Sequence, residues 1–424
     1  MLNPLLKELP ASLLQMETTF RRLVVQSAGQ IFGPLLQQRV DQIDAAYQSK
    51  PQMRRHGRRP LQVDTLWGPI TIVRDYYLSE QGGHCPADAA LGLEGSATPA
   101  LARLVCRAAA QQPYGVASRD LSEYGSIQVD ERQIQRMVQQ IGPDCEKWLS
   151  NQPSSGQAVP VMYISCDGTG TPMRKTELKG RKGRQEDGSA KTREVKLGAV
   201  FTQHKVDTEG RPIRDHQSTT YVGGFQNAQE FGLLLRQEAR RRAVGAAKQV
   251  VFISDGAAWT EEIPRQCFAG AVSILDFYHA AQRVHQLAGL LQPQQPKKLA
   301  GRWIKLLLKD RIATVISQAK VMQEVLADFV DPDDNIGFFE RHQDRMRYGH
   351  YRKQGWFIGS GVVEAGCKNV VGKRLKQSGM FWSQAGAASV LNFRTLLLSN
   401  RFDSFWRDRH NAYAAKNDAL TLVA

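Results

Sequence analysis

The stretch 159–170, VPVMYISCDGTG, constrains the fold more than any other part of the chain. Residues 161–166 are apolar apart from Ser165 and rich in strand formers, and Gly168 and Gly170 stop the run directly after Asp167. A buried strand ended in this way carries one carboxylate to a sheet edge, where a ligand can reach it. An aspartate at a strand end is equally at home as a capping or turn residue. A second run, 250–254 (VVFIS), ends the same way in Asp255 and Gly256. Two such acids meet only if their strands lie side by side.

The intervening sequence says how that could happen. After Asp167 come a polar basic segment and two short runs rich in strand formers, 195–201 (VKLGAVF) and 218–222 (STTYV), with Gly188 and Gly210 in the connections. From Asn227, a natural N-cap, the period turns helical through Phe231, Leu234, Leu235, Glu238 and Arg242. The strand of Asp255 follows, then a short helix over 259–267 and a fifth strand, 271–275, ending in Asp276. The order β-β-β-α-β-α-β is the ribonuclease H-like one, in which the first and fourth strands are neighbours. The fold class expected is α/β: a ribonuclease H-like core with an all-helical insertion, preceded by a mainly helical DNA-binding region.

A chain of 424 residues with 42% hydrophobic content can hold two or three domains with substantial cores. The net charge of +15 and pI of about 9.6 favour a polyanionic partner. No run of about 18 apolar residues offers a membrane span, and MLNPLLKELP lacks the regions of a signal peptide. The six cysteines form no C-x-x-C pair, so a reduced cytoplasmic protein with no zinc ribbon is expected. His84 and Cys85 alone are too few for a zinc site.

Along the chain, 1–50 carries apolar positions at helical spacing, suited to core or oligomer contact. Residues 51–96 contain the basic cluster Arg54, Arg55, Arg58 and Arg59, read as a charged loop or a phosphate contact, and then a hairpin turning at Gly68 and Pro69. Residues 97–150 follow helix-turn-helix grammar: Pro99 opens one helix, Gly125 makes a turn, and Asp130 caps a helix whose polar face holds Arg132, Gln133 and Arg136. A short linker, 151–157, precedes the first part of the core, 158–280. Residues 174–196 hold nine Lys or Arg against four acids. Lys179, Arg181, Lys182 and Arg184 of this hairpin loop are placed to hold a nucleic-acid backbone beside Asp167. A helical insertion, 281–358, leads to C-terminal helices over 359–424, where Ser360 is a possible N-cap, Glu364 sits in a first turn, and Lys368, Lys373 and Arg374 extend a basic face.

Breaking a phosphodiester requires a water or hydroxyl to lose its proton and the leaving oxyanion to be neutralised, which two divalent metals achieve together. Magnesium prefers oxygen ligands and keeps several waters, so a few carboxylates suffice. Asp167 would bridge two Mg2+ (or Mn2+) ions, with Asp255 on one and Glu364 on the other. No H-E-x-x-H or G-x-x-x-x-G-K-[ST] occurs. The D-x-D-G-T motif of haloacid dehalogenase-like phosphohydrolases is broken here, because Ser165 stands where the nucleophilic aspartate would be.

The runs CDGTG (166–170), REVKLGAVF (193–201), SDGAAW (254–259), DFYHA (276–280) and GSGVVEAGCKNVVGKRLKQSGMFW (359–382) resemble a bacterial insertion-sequence DDE transposase of the ISKra type. The chain is more distantly similar to Mutator-like transposases. The resemblance implies a catalytic triad at Asp167, Asp255 and Glu364 and points as well to Asp276 and His279. Its implied activity is binding of terminal inverted repeats in double-stranded DNA, cleavage, and joining to target DNA by a homo-oligomer. Related chains often carry a C-x-x-C after a Tyr-Tyr pair, whereas Tyr76 and Tyr77 are followed by LSEQGGHC. The alternatives are a nuclease or resolvase of the same fold without strand transfer, and a domesticated DNA-binding protein without activity.

Overall fold

The structure is a computed structural model, and it describes residues 12–421 apart from 50, 51, 81, 184, 186, 187, 327 and 332. It is a mixed α/β protein in two compact units, Met1–Cys145 with Arg401–Ala424, and Glu146–Asn400. Among the described residues, no helix is long and apolar enough to cross a membrane.

The first unit opens with α1 (Leu13–Ala46), one helix despite Pro34 in its interior. Its buried positions Leu36, Val40 and Ile43 pack on a hairpin, β1 (Arg54–Thr65) and β2 (Gly68–Ser79), extended by β3 (Gly82–His84). Gly29 permits the close approach, since a Cβ there would lie 2.8 Å from the Trp67 carbonyl oxygen. The arginine cluster is therefore strand rather than loop, with a bulge between Arg55 and Arg58. Its charges are largely answered locally. Arg55 Nε lies 2.6 Å from Asp75, Arg58 pairs with Asp41, and Arg59 lies 3.5 Å above the Tyr76 ring centroid.

Helices α2 (Pro86–Ala90), α3 (Pro99–Gln111), α4 (Tyr114–Gly125) and α5 (Glu131–Ser150) follow. The turn after α4 is made by Ser126 in the left-handed region (φ 55°) rather than by Gly125. Asp130 and Gln133 cap α5 reciprocally: Asp130 Oδ1 accepts from Gln133 N at 2.8 Å, and Gln133 Oε1 accepts from Asp130 N at 2.9 Å.

The second unit is built on β4 (Val161–Pro172), whose first six residues are all buried. Alternate residues feed two cores, as strand periodicity requires. Val161 and Tyr163 face one cluster, and Met162, Ile164 and Cys166 face another. The short helix α6 (Lys175–Leu178) lies in the basic connection to β5 (Thr192–Val206), and β6 (Pro212–Arg214) and β7 (Thr220–Gly224) both pair with β5. Then come α7 (Ala228–Arg241), opened by an Asn227 capping box, β8 (Gln249–Ser254), α8 (Ala258–Cys267) and β9 (Val272–Leu275). The mixed sheet runs β6-β5-β4-β8-β9, with β4, β8 and β9 mutually parallel and β5 antiparallel to β4. The strands before Asp167 and Asp255, β4 and β8, are thus neighbours, with the short β6 as an additional strand in the connection between them.

Residues of α7 and α8 cover one face of the sheet. The other face is covered by α9 (Phe277–Leu291) and the helical stretch α10 (Pro296–Leu307), α11 (Ile312–Val325), α12 (Asn335–His342) and α13 (Tyr348–Lys353). Because α9 runs unbroken through position 281, the helical excursion grows out of the core's own last helix. Its two ends meet, with Phe277 N donating to Ile358 O at 2.9 Å.

The chain then forms α14 (Gly361–Gly366), a π-helical segment Cys367–Gly372, α15 (Lys373–Leu375), α16 (Gln384–Leu398) and α17 (Phe402–Thr421). Helix α14 lies across β4 and β5, and Gly366 lets it come close, because a Cβ there would sit 2.7 Å from the Tyr221 ring. Helix α17 belongs to the first unit, where Arg409 joins buried Glu94 at 2.5 Å and Asp144 at 2.8 Å.

Candidate active site

The site begins where β4 and β8 part. Their parallel register ends at Ser165 opposite Ile253, two residues short of Asp167 and Asp255. Strand β4 continues along β5, with Asp167 paired to Leu197, while β8 stops at Ser254. The stop has a local cause. Asp255 Oδ1 accepts from Ala257 N at 3.0 Å and from Thr260 Oγ1 at 3.3 Å, an aspartate-led turn into α8, and Gly256 supplies the positive φ of 85°. Both carboxylates therefore lie just past the last parallel pair, Asp255 beyond the end of β8 and Asp167 within β4, which the pairing with β5 carries on through Gly168 and Gly170 to Pro172 instead of ending after Asp167 as expected.

Asp167 is half-buried, and its Oδ1 accepts from Gly168 N at 2.7 Å. Burial pushes its pKa above the ordinary carboxylate value. Hydrogen bonds from the Cys367 thiol and Gly168 N–H oppose that push, the charge of Asp255 adds to it, and His279 opposes it. Asp167, Asp255, His279 and Cys367 thus share one electrostatic neighbourhood.

A second set of contacts comes from the end of β9. Asp276 is fully buried and caps α9, with Oδ1 accepting from His279 N at 2.8 Å, while Oδ2 accepts from Ser360 N. Burial alone would raise its pKa, but the hydrogen bonds from His279 and Ser360 outweigh it and hold the carboxyl below the usual range. His279 Nδ1 lies 3.2 Å from Asp276 Oδ1 and 4.0 Å from Glu364 Oε1. Its pKa is raised, first by the Asp276 hydrogen bond, against desolvation, with the charges of Asp276, Asp255 and Glu364 helping. Ser360 does not cap its helix through its side chain. Its Oγ donates instead to Glu364 Oε1 at 3.0 Å.

Among the described residues, Asp276, His279 and Glu364 form a group whose ligand atoms all lie within 4.8 Å of one another. Asp167 and Asp255 lie outside that group, so Glu364 is turned toward His279 in this conformation. Each oxygen of Asp276 already accepts a backbone N–H, which makes it a strut rather than an open ligand. Asp167, Asp255 and Glu364 each offer carboxylate oxygens, the ligand type a hard divalent ion prefers, but the three do not form such a group in this conformation.

Three participants were not legible as such in the sequence. Cys367, one turn beyond Glu364, was one of six scattered cysteines. Ser360 pins Glu364 rather than the helix end. Arg345, from the helical excursion, donates to Ser254 Oγ at 2.7 Å and lies 3.1 Å from Glu261, which places a cation behind the strand of Asp255. Beside Asp255 and His279 opens a cavity of about 560 Å3 that is also lined by Gln282, Arg283, Arg341 and His342.

The expected DNA-contact residues divide into groups. Lys179, Arg181 and Lys182 are exposed and line an open groove of about 1010 Å3 with Arg174, Lys175 and Phe381. Arg184 lies outside the described residues. Lys368 and Lys373 are exposed, as are Arg132 and Arg136 on α5. Gln133 is committed to its capping box and lies 3.4 Å from Asp64. Arg374 corrects the expectation outright. It is fully buried, 5.0 Å from the Trp382 ring centroid and 3.5 Å from Met380 Sδ, so its charge is spent inside the fold.

No protein family and no curated protein matches this chain. Among solved structures it is similar to the Drosophila P element transposase strand transfer complex, with 8% sequence identity and a TM-score of 0.30, over 69% of this chain and 90% of that one. That likeness is too slight to carry a fold or an activity.

Proposed function

We propose that the chain is a DNA transposase of the DDE class. In this reading Glu146–Asn400 is a ribonuclease H-like core whose Asp167, Asp255 and Glu364 hold two Mg2+ or Mn2+ ions. The observation that carries the reading is that Asp167 and Asp255 lie side by side just past the last parallel pair of β4 and β8, beneath a helix whose Glu364 is pinned by Ser360. Ions bound there would activate the attacking oxygen and neutralise the leaving one. The residues do the rest. The Asp276 strut fixes where α14 starts, Ser360 orients Glu364, and the Cys367 thiol orients Asp167. Exposed Lys179, Arg181 and Lys182 hold the phosphate backbone beside the acids.

The test uses purified protein, DNA carrying the element's terminal inverted repeats, and Mg2+. Asp167→Ala, Asp255→Ala and Glu364→Ala should each abolish cleavage and joining while leaving end binding near wild type. Wild-type strand transfer by two of the three would remove the assignment. Cleavage without joining by the wild-type protein would favour a nuclease instead.

A further inference from the structure

The cavity of about 560 Å3 beside the acids lies between the start of α8, α9 and α12, with Asp255 and His279 among its walls. From His279 the wall continues along one face of α9, where Gln282, Arg283 and Gln286 follow three, four and seven residues on. Gln282 and Gln286 are exposed and make no hydrogen bond among the described residues. Each amide thus keeps an acceptor and two donors for a ligand. Arg283 is fixed instead. It donates to Asp333 O at 3.2 Å and to Asn335 Oδ1 at 3.1 Å, and its guanidinium lies 4.1 Å from the ring centroid of Phe338, another wall residue. The charge around the cavity is balanced. Arg283 and Arg341 are matched by the carboxylates of Asp255, Glu261 and Asp333, with His279 able to add one positive charge. His342, its pKa lowered to about 4 by burial and then by Arg345, Arg341 and Arg283, is neutral near pH 7. No excess of cations is present to hold a phosphate, so the walls suit a neutral, planar group with a hydrogen-bonding edge.

We infer, resting on the proposed DNA-cleaving role of the acids, that this cavity takes an unpaired nucleobase of the nucleotide flanking the scissile phosphate, with Gln282 and Gln286 selecting the base. The volume falls in the range of about 300–1,000 Å3 usual for small-ligand pockets. Guanidinium planes and aromatic rings, here Arg283 and Phe338, are the surfaces on which unstacked bases settle. A glutamine amide meets N6 and N7 of adenine with two hydrogen bonds, which makes adenine the expected base. Asp255 belongs both to the cavity and to the acids, so a phosphate held at the acids leaves the base of its own nucleotide within reach. The exposed lysines and arginine of the basic groove grip phosphates alike at every sequence, whereas this cavity reads one base beside the cut.

The test uses the full-length protein and DNA carrying the terminal inverted repeats, with the fluorescent adenine analogue 2-aminopurine placed in turn on either side of the cut that the wild type makes in Mg2+. With Ca2+ in place of Mg2+, so that binding is read apart from cleavage, emission should rise at one of these positions as the base leaves its stacked neighbours. Gln282→Leu with Gln286→Leu should lose the rise, at unchanged helical content by circular dichroism. In Mg2+ the wild type should cut ends with adenine at that position about tenfold faster than ends with another base, and the double variant should cut all four alike. A wild type that cuts DNA without a rise at either position overturns the inference, and so does a double variant that keeps both the rise and the preference. Preference for another base overturns the assignment to adenine. A rise in the melting temperature of the DNA-free protein with adenosine monophosphate, and none in emission on DNA, would give the cavity to a free nucleotide instead. A wild type that cuts no DNA defeats the proposed function itself, and the base pocket with it.

Discussion

Asp276 and Ser360 are 84 residues apart in the chain, yet the buried carboxylate of the first accepts the backbone N–H of the second. Through Ser360 Oγ this tie reaches Glu364, so the place of one acid depends on another that need not touch substrate. Asp276→Asn should lose its charge-assisted hydrogen bonds and destabilise the protein by about 1–3 kcal/mol. It should also reduce DNA cleavage far more than DNA binding. Urea unfolding and a cleavage assay run side by side check both effects, and a fully active, equally stable variant would leave the strut without a role.

Asp167 has the opposite character, because burial and the Asp255 charge both disfavour its ionised form. Its contribution to stability grows as pH falls through the raised pKa and is unfavourable above it. Asp167→Asn should therefore raise the metal-free protein's stability at neutral pH by about 1 kcal/mol. The same change should remove the rise in Tm that Mn2+ gives the wild type. A thermal-shift series with and without Mn2+ and EDTA reads both, and unchanged stabilisation by Mn2+ would count against Asp167 as a ligand.

In the metal-free protein the imidazolium of His279 is favoured by Asp276 and the neighbouring carboxylates. Its folded pKa lies above the ordinary 6.5, so its contribution to stability is full below that pH and fades as pH rises through the raised value. Proton NMR titration should show this, and Asp276→Asn should move the midpoint back down. A wild-type midpoint at or below 6.5 would mean that desolvation, not the Asp276 hydrogen bond, governs this imidazole.

Gly366 offers a test of packing. An exposed helical Gly→Ala change ordinarily stabilises by about 0.5–1 kcal/mol, but here the added methyl would meet Tyr221 at 2.7 Å. Gly366→Ala should instead destabilise by about 1–3 kcal/mol. Chemical denaturation decides the sign.

The basic residues should separate by salt dependence. Replacing Lys179, Arg181 and Lys182 with Ala should flatten the plot of log affinity against log salt by about 0.9 for each phosphate that is no longer neutralised. Arg374→Ala should lower stability and leave that slope unchanged, since the side chain is buried against Trp382. Equal slopes for the triple variant and wild type would detach the groove from DNA.

Much of the core was legible because its signals are local. The apolar run before Asp167, the twin run before Asp255 and the cap at Asn227 each carry their structure in a few residues, but the strand of Asp167 runs on through Gly168 and Gly170 to Pro172 because β5 pairs with it there, which no local signal shows. The loop reading of the arginine cluster failed because the acids that answer it, Asp75 on the paired strand β2 and Asp41 on α1, are announced by no local pattern. Arg374 misled for a similar reason: its place on a basic face was visible, but Trp382 folding back over it was not. The orientation of Glu364 toward His279 depends on Asp276 and Ser360 meeting across the helical excursion, a long-range tie that no window of sequence contains.

That excursion leaves the core at Phe277 and returns at Ile358, two residues joined by a backbone hydrogen bond. Entry and exit are therefore one doorway. Over evolutionary time the lobe between them could lengthen, shrink or be exchanged, provided the replacement still roofs the sheet, without shifting the amino acids on either side of the threshold.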